Sequence, residues 1–403
     1  MKIALVIWEL NLKGGTQRLA LELANELQNL GNTVDVYCYY YDNKQGYADL
    51  CKKVPIYSVQ PLEIKKDTNK KKTLFSKLWY FPGIYLKLIK NLFVAEKNIQ
   101  ELAHLIKKTK GISYYDAINV HDYTAYRIAR LIKHKNIVWT MNDVQRPPLT
   151  GKSRLHNTLF NFLQKIVATY EIKNIKKIVV LDKRNVALAK SYYNRDSIIV
   201  RGGMDLDMFK NITIEKVFKK DRYQLFLSSI FFPWRRFEDV VDAVEILKHK
   251  GYTNFNVHIN GITDRAPSYY LSIVDRIAKK NVGDYIHITT GLSEPELIQA
   301  YAKTDIFIFP NHNQTWGLAV FEAMLAGCAT IVSKTSGASE ILTDNENALL
   351  VNPKSPEEIA EKIALLLDDP KKLESISKNG IEFVRKNLSW KRYAQEMAQV
   401  LKP

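Results

Sequence analysis

The feature that most constrains the fold is an alternation of apolar, strand-like runs with amphipathic, helix-like segments. Residues 2–8 read KIALVIW, residues 16–31 read TQRLALELANELQNLG, and residues 33–40 read TVDVYCYY. Continuous apolar strands separated by amphipathic helices are typical of a parallel sheet covered on both faces. The first half of the chain is therefore predicted to be a doubly wound α/β domain.

The same alternation starts again at residues 224–230, QLFLSSI, and continues to residues 329–334, ATIVSK. A chain of 403 residues also exceeds the size that one hydrophobic core supports. We predict an N-terminal domain over residues 1–203, a C-terminal domain over 204–385, and a closing helix over 386–403 that could pack back on the first domain. The predicted fold is α/β, with two Rossmann-like doubly wound parallel-sheet domains facing a central cleft, where such folds bind ligands.

Composition indicates the kinds of partner and compartment. The net charge of +17, with a pI of about 9.4, favours anionic partners such as phosphates, nucleic acid or acidic lipid without choosing among them. No uncharged apolar run reaches the ~18 to 20 residues that span a bilayer, and residues 2–8 are too short for a signal peptide. Cys38, Cys51 and Cys328 have no metal-ligand spacing, and their odd number suits a reducing compartment. We expect a cytoplasmic protein.

Two motifs that follow strands are candidates for anion binding. Gly14 and Gly15 precede a helix, so their backbone N–H groups could face a phosphate, although a plain tight turn is an equal alternative. The pattern is neither a dinucleotide fingerprint nor a Walker loop. Arg235 and Arg236 stand just before a helix that begins near Phe237, and arginine forks match phosphate oxygens. Solvated arginines are the alternative, but positive charge at a helix N-terminus opposes the helix dipole, which favours a bound anion.

The acid Glu322 lies in an otherwise uncharged apolar stretch. Asp305 and Lys334 are its nearest charged neighbours along the chain. The helix predicted to begin at Gly317 and end at Gly327 is apolar on most faces, so burial would cost several kcal/mol without a polar partner. A polar ligand edge such as a ribose would satisfy the acid, and a structural hydrogen bond is the alternative.

Two further candidates carry weaker signals. His121 ends the strand-like run DAINVH and would point into the crevice, although a lone histidine there is more often structural. The acids of DLD at residues 205–207 resemble a metal-binding pair, but they lie in the predicted connection between the domains. Metal binding there is not favoured.

The order of these motifs, ending in QTWGLAVFEAMLAGCATIVSKTSGASEIL at residues 314–342, resembles the retaining glycosyltransferases of family 4, which have the GT-B fold. The resemblance covers essentially the whole chain. It implies transfer of a hexose from a UDP- or GDP-linked sugar to a glycan or lipid-linked acceptor, with retention at the anomeric carbon. It implies no cofactor and no obligatory metal, an acceptor-side N-terminal domain and a donor-binding C-terminal domain.

The same resemblance implies roles for individual residues. Glu322 would hold the donor ribose, and Arg235, where the family usually has lysine, would bind the diphosphate together with Arg236. Gly14 and Gly15 would approach the phosphates or the acceptor.

The remaining assignments also come from the resemblance. His121 would lie beside the transferred sugar, and Gln314 would face the donor sugar as the second residue of the catalytic set. Gly317 and Leu318 belong to the donor-binding set, and Glu340 matches an acid at the rim of the nucleotide pocket.

Three positions depart from the family pattern. Gln314 stands where the first of two glutamates is usual, Ile230 replaces an arginine of the diphosphate site, and Gly202 replaces an asparagine. An inactive sugar-nucleotide-binding subunit, an epimerase and a nucleic-acid glucosyltransferase therefore remain as alternatives. We do not expect nucleic acid to be the main partner.

An anionic membrane surface is a candidate partner because of one further segment. Residues 73–93 combine aromatic residues with an amphipathic helical pattern, and Lys65, Lys66 and residues 70–72 add positive charge nearby. An ordinary core helix with solvated lysines is an equal alternative.

Overall fold

In the computed structural model, strands and helices alternate along most of the chain. The predicted membrane-surface element at 73–93, with Lys65, Lys66 and residues 70–72, lies outside the described residues, and so does Gln314. The described residues are 1–12, 14–42, 44–61, 96–122, 124–142, 166–212, 214–313 and 316–403.

The first sheet has seven parallel strands in the order β3-β2-β1-β4-β5-β6-β7. The strands are β1 Lys2–Leu10, β2 Thr33–Tyr41, β3 Ile56–Pro61, β4 Ala117–His121, β5 Ile137–Met141, β6 Lys177–Val180 and β7 Ile198–Ile199. The connecting helices include α1 Gly15–Asn29, α2 Ala48–Cys51 and α3 Lys183–Tyr193, and residues 96–109 and 166–171 are also helical. The central strands β4 and β5 are fully buried and mostly apolar, as expected for a sheet covered on both faces.

The second sheet has six parallel strands in the order β10-β9-β8-β11-β12-β13. These are β8 Tyr223–Ile230, β9 Phe255–Ile262, β10 Ile286–Thr290, β11 Ile306–Phe309, β12 Ala329–Ser333 and β13 Leu349–Val351. The helices are α4 Phe237–His249, α5 Pro267–Lys279, α6 Glu294–Lys303, α7 Leu318–Leu325, α8 Pro356–Asp368, α9 Pro370–Asn387 and α10 Trp390–Val400. Two parallel α/β sheets are what the alternation predicted.

Contacts divide the chain into two compact units, each with its own hydrophobic core. The first consists of Met1–Val180, Asn185–Val200 and Tyr393–Pro403, and the second of Leu181–Arg184 and Arg201–Arg392. The predicted boundaries, after residues 203 and 385, differ from these.

The last residues of the chain are held to the first unit by polar contacts. Asn136 Nδ2 donates to the Leu401 carbonyl at 2.7 Å, and Lys177 Nζ donates to the Val400 carbonyl at 2.8 Å. Asn136 directly precedes β5 and Lys177 begins β6, so the C-terminal residues are bound to the first sheet.

Two observations relate to the compartment expected from the sequence, namely the state of the cysteines and the apolarity of the helices. All three cysteines are buried free thiols, and burial raises the pKa of Cys51 and of Cys328 to about 11. None of the helices in the described part of the chain has the length and apolarity that a bilayer crossing requires.

A close backbone approach fixes Gly203 within the second unit. Met204 forms an isolated bridge with Ser389, and its N–H donates to the Leu388 carbonyl at 3.1 Å. A Cβ atom on Gly203 would lie 2.6 Å from both the Ser389 carbonyl oxygen and the Trp390 nitrogen. Only glycine lets these two backbone segments meet at this distance.

We therefore expect Gly203→Ala to lower the free energy of unfolding by about 1 to 3 kcal/mol, because the new methyl group must displace backbone. Thermal and denaturant unfolding measure the change. Gly283→Ala is the matched control, since no atom lies within 4 Å of the position its Cβ would take. Equal stability of the two variants would contradict the close approach.

Candidate functional site

The loops after β8 and β11 meet at the carboxyl edge of the second sheet. β8 and β11 are hydrogen-bonded neighbours, so the segments that leave their carboxyl ends start side by side. The backbone N–H of His312, after β11, donates to the Trp234 carbonyl, after β8, at 2.8 Å. This edge holds Arg235, Arg236 and Gly317, and Glu322 follows within α7.

Arg235 lies at the end of a short 3₁₀ helix, Pro233–Arg235, and contacts a neutral amide. The Asn311 amide is oriented so that both of its ends are hydrogen-bonded to Arg235. The Asn311 oxygen accepts from Arg235 Nη1 at 2.8 Å, and the Asn311 nitrogen donates to the Arg235 carbonyl at 3.2 Å. Burial lowers the pKa of Arg235 to about 10, so the guanidinium is still charged at neutral pH. A partly desolvated cation beside a neutral amide is well suited to bind an anion.

Arg236 is in a different situation, because carboxylates of the next helix surround it. Its Nη1 lies 2.5 Å from Glu238 Oε1, and its Nε and Nη2 lie 2.9 Å and 2.5 Å from the two oxygens of Asp239. The hydrogen bond with Asp239 raises the pKa of Arg236. Glu238 and Asp239, in the first turn of α4, offset the positive charge at this helix start, so that charge does not require a bound anion. The predicted role of Arg236 at the diphosphate remains a prediction.

Gly317 is the residue immediately before α7, and its backbone is left-handed with φ 76° and ψ 57°. Left-handed backbone favours glycine, which explains the residue type. Among the described residues, no side chain caps this helix start, and its first turn holds no acid. Half-buried Leu318 is the first helical residue, and Gly327, with φ 75°, lies just beyond the end of the helix, as predicted.

Glu322 is half-buried on α7, and a hydroxyl group donates to it. Tyr301 Oη, on α6, donates to Glu322 Oε2 at 3.2 Å. The sequence left a ligand or a structural hydrogen bond as the two explanations of this acid, and a structural bond is present. A carboxylate accepts several hydrogen bonds, so the ribose role remains open to it and stays a prediction.

Glu340 lies in the 3₁₀ helix Gly337–Ile341 and makes an ion pair within the second unit. It accepts from the Lys183 backbone N–H at 2.8 Å and 3.0 Å and from Arg201 Nη2 at 2.9 Å. These contacts join two distant segments of the chain to the end of the second sheet. Its predicted place at the nucleotide rim is untested.

In the first unit, His121 ends β4 and is fully buried. Asn119 Nδ2 donates to Thr140 Oγ1 at 3.0 Å and to the Val138 carbonyl at 3.1 Å, so Asn119 Oδ1 faces His121 Nε2 at 2.7 Å. An amide oxygen only accepts, hence Nε2 carries the proton and Nδ1 is an acceptor. Nδ1 is buried and has no hydrogen-bond partner in the part of the chain that the structure describes. The arrangement can accept a hydrogen bond from a hydroxyl group.

The glycine pair lies at the start of α1, with Gly14 in extended conformation before the helix and Gly15 as its first residue. A Cβ on Gly14 would lie 2.4 Å from Gln17 Oε1, whereas no atom lies within 4 Å of one on Gly15. In the part of the chain that the structure describes, no side chain caps this helix start, and no acid lies in its first turn. The pair therefore leaves a polar helix start exposed, which fits either an anion site or a plain turn.

Asp122, which the sequence reasoning missed, organises the end of β4. It has a left-handed backbone with φ 66°, and its carboxylate accepts from the N–H groups of Trp8 at 2.7 Å, Thr124 at 2.7 Å and Ala125 at 2.8 Å. Burial raises the pKa of Asp122 to about 6. Its place directly after His121 at a strand end was the available signal. The acids at 205–207 form a local turn instead, with the Asp207 N–H donating to Asp205 Oδ1 at 2.9 Å.

Comparison with known proteins finds a family that is similar to most of the second unit. Residues 208–383 match the family described as Glycosyl transferases group 1. Together with the two parallel-sheet α/β units, this match supports a glycosyltransferase with the GT-B fold.

Particular relatives agree with that class. The Uncharacterized glycosyltransferase MJ1607 of Methanocaldococcus jannaschii is 23% identical over 419 residues, covering 100% of this chain and 98% of the relative. MJ1069 of the same organism is 24% identical over 260 residues, which are 62% of this chain and 64% of that protein. The solved structure of Anabaena Alr3699/HepE in complex with UDP-glucose has a TM-score of 0.67 at 15% identity, covering 100% of this chain and 99% of its own, and so shows a common fold.

We expect His121 to stay neutral, with its proton on Nε2, across the neutral pH range. Burial lowers the pKa of His121 from 6.5 to about 3. Below about pH 6.5, His121 therefore binds a proton in the unfolded chain but stays neutral in the folded chain. This residue therefore lowers folding stability as the pH falls below about 6.5. Nitrogen-15 NMR of the imidazole reads both the tautomer and the titration, and Asn119→Ala, which removes the acceptor, should abolish the tautomer preference. A protonated Nδ1 in the native protein would disprove the assignment.

Proposed function

We propose that this chain is a retaining glycosyltransferase that moves a hexose from a UDP- or GDP-linked sugar to a glycan or lipid-linked acceptor. The observation that carries the proposal is the partly desolvated Arg235 guanidinium beside the neutral amide of Asn311, a residue that lies between β11 and α7 in the chain. A diphosphate supplies the anion that suits such a place. The similarity to a protein solved with UDP-glucose supports a nucleotide sugar as the donor.

In the proposed reaction, the bond between the anomeric carbon and the donor phosphate oxygen breaks. A bond to the acceptor hydroxyl oxygen forms on the same face, which retains the configuration, and the departing phosphate takes the hydroxyl proton. Arg235 and the N–H groups at the start of α7 stabilise the negative charge that develops on the diphosphate. Glu322 accepts from the ribose hydroxyls, and His121 Nδ1 accepts from a sugar hydroxyl. No metal is assigned a step.

The function is tested by donor binding followed by turnover. Thermal shift with UDP-, GDP- and ADP-sugars identifies the nucleotide, because ligand binding stabilises the folded state. Transfer is then measured over a panel of glycan and lipid-linked acceptors with and without a metal chelator, and NMR reads the anomeric configuration of the product. Binding without turnover would indicate a sugar-nucleotide-binding subunit, and an inverted product would contradict retention.

The neighbouring arginines offer a matched pair of variants. Arg235→Ala should weaken binding of the diphosphate sugar about 10- to 100-fold, since a charge-assisted contact contributes about 1.5 to 3 kcal/mol, and should leave binding of the bare nucleoside nearly unchanged. Arg236→Ala should have the smaller effect on binding, because Glu238 and Asp239 already neutralise that residue. Calorimetric titration measures the affinity of each variant. An equal loss of affinity in the two variants would contradict the different roles of the two arginines.

Gln314 is proposed to position the donor sugar through its amide, which both donates and accepts hydrogen bonds. Gln314→Ala should then lower turnover while affinity for the free nucleoside diphosphate barely changes. Gln314→Glu restores the acid that is usual in the family. Turnover that appears only in Gln314→Glu would mean that the natural chain is a binding protein, and wild-type transfer by Gln314→Ala would remove Gln314 from the site.

A further inference from the structure

Glu322 is held by a hydroxyl group that the proposed reaction does not use. Tyr301, 1% exposed on α6, donates its Oη proton to Glu322 Oε2 at 3.2 Å. A carboxylate can only accept, so the proton belongs to the tyrosine. Burial, reinforced by the charge of Glu322, raises the pKa of Tyr301 well above its ordinary value. The neutral tyrosine hydroxyl is therefore the donor in this contact.

The position of this hydroxyl is fixed by the packing of its ring. The Tyr301 ring meets Phe226 edge-on with centroids 5.5 Å apart, lies 5.7 Å from Phe307, and meets Phe209 edge-on at 6.4 Å. Its backbone carbonyl accepts from Cys328 Sγ at 3.4 Å. Since the ring is buried on these sides, it has no other rotamer available without repacking the core.

A glutamate needs such an anchor if it is to recognise a ligand. Its side chain has three rotatable bonds, and freezing them on binding costs affinity unless they are already ordered. We propose that Tyr301 is a positioning residue that holds the Glu322 carboxylate in the conformation that receives the ribose hydroxyls. This inference rests on the proposed function, from which it takes the ribose contact of Glu322. A carboxylate accepts more than one hydrogen bond, so the tyrosine proton does not exclude ribose hydroxyls.

The test is Tyr301→Phe, which removes the hydroxyl and keeps the packed ring. The probes are UDP and 2′-deoxy-UDP, or GDP and 2′-deoxy-GDP if the wild-type protein binds only the guanosine form. We expect the variant to bind the ribose form about 3- to 10-fold more weakly, the loss of one hydrogen bond, and the deoxy form with a smaller change. The preference for ribose over deoxyribose should therefore fall. This preference is a ratio within one protein sample, so a general loss of stability does not mimic it.

Tyr252→Phe is the matched control. Tyr252 Oη also donates to a carboxylate, Asp368 Oδ2, at 2.5 Å. Tyr252 lies just before the amino end of β9, at the sheet edge opposite the carboxyl ends of the strands. This variant should keep the wild-type ribose preference. A fall equal to that in Tyr301→Phe would show a general effect and overturn the inference.

Glu322→Ala separates the inference from the proposed function. If Glu322→Ala keeps the wild-type ribose preference, Glu322 does not bind ribose, and both the ribose role and the inference are wrong. If Glu322→Ala loses the preference while Tyr301→Phe keeps it, only the positioning role is wrong. If both variants lose the preference, the double variant decides. A double variant that prefers ribose at least as strongly as Glu322→Ala alone shows that the two residues act as one unit, and the inference then holds.

Discussion

The candidate site depends on two parallel strands, β8 and β11, being direct neighbours. Leu225 pairs with Ile306 and Phe226 with Phe307, so the chain leaves both strands at the same edge of the sheet. That pairing brings Arg235 to Asn311 although the two are far apart in the chain. A sheet in which another strand separated β8 from β11 would have the same residues and no such contact.

Two adjacent arginines show how surroundings decide the chemistry of one residue type. Arg236 has its charge matched by two carboxylates of its own helix, so it stabilises the start of α4. Arg235 is partly desolvated beside an uncharged amide. Burial lowers the pKa of its guanidinium, because the charged form is less stable there than in water. In the proposed function, the diphosphate of the donor would offset that cost.

The sequence predicted the parts of this protein that follow from periodicity and from local chemistry. The alternation gave both α/β units, and the position of Arg235 after a strand and of Gly317 before a helix followed from residue type. The contacts of the candidate site residues were not predictable, because they form only through the tertiary fold. They join Asn311 to Arg235, Tyr301 to Glu322 and Arg201 to Glu340. The acids that pair with Arg236 lie two and three positions later, so the sequence itself contained a partner for that charge.

The left-handed backbone of Arg236, with φ 56° and ψ 41°, has a consequence for how this segment can change. A side chain in that conformation costs roughly 1 to 2 kcal/mol relative to glycine. Its ion pairs with Glu238 and Asp239 counteract that cost. Replacing both acids would leave a strained backbone with an unpaired positive charge at a helix start, whereas replacing all three residues together, with glycine at the first position, would not. The three positions therefore form one unit of sequence variation, because the loss of both acids removes what holds a side chain at the first position.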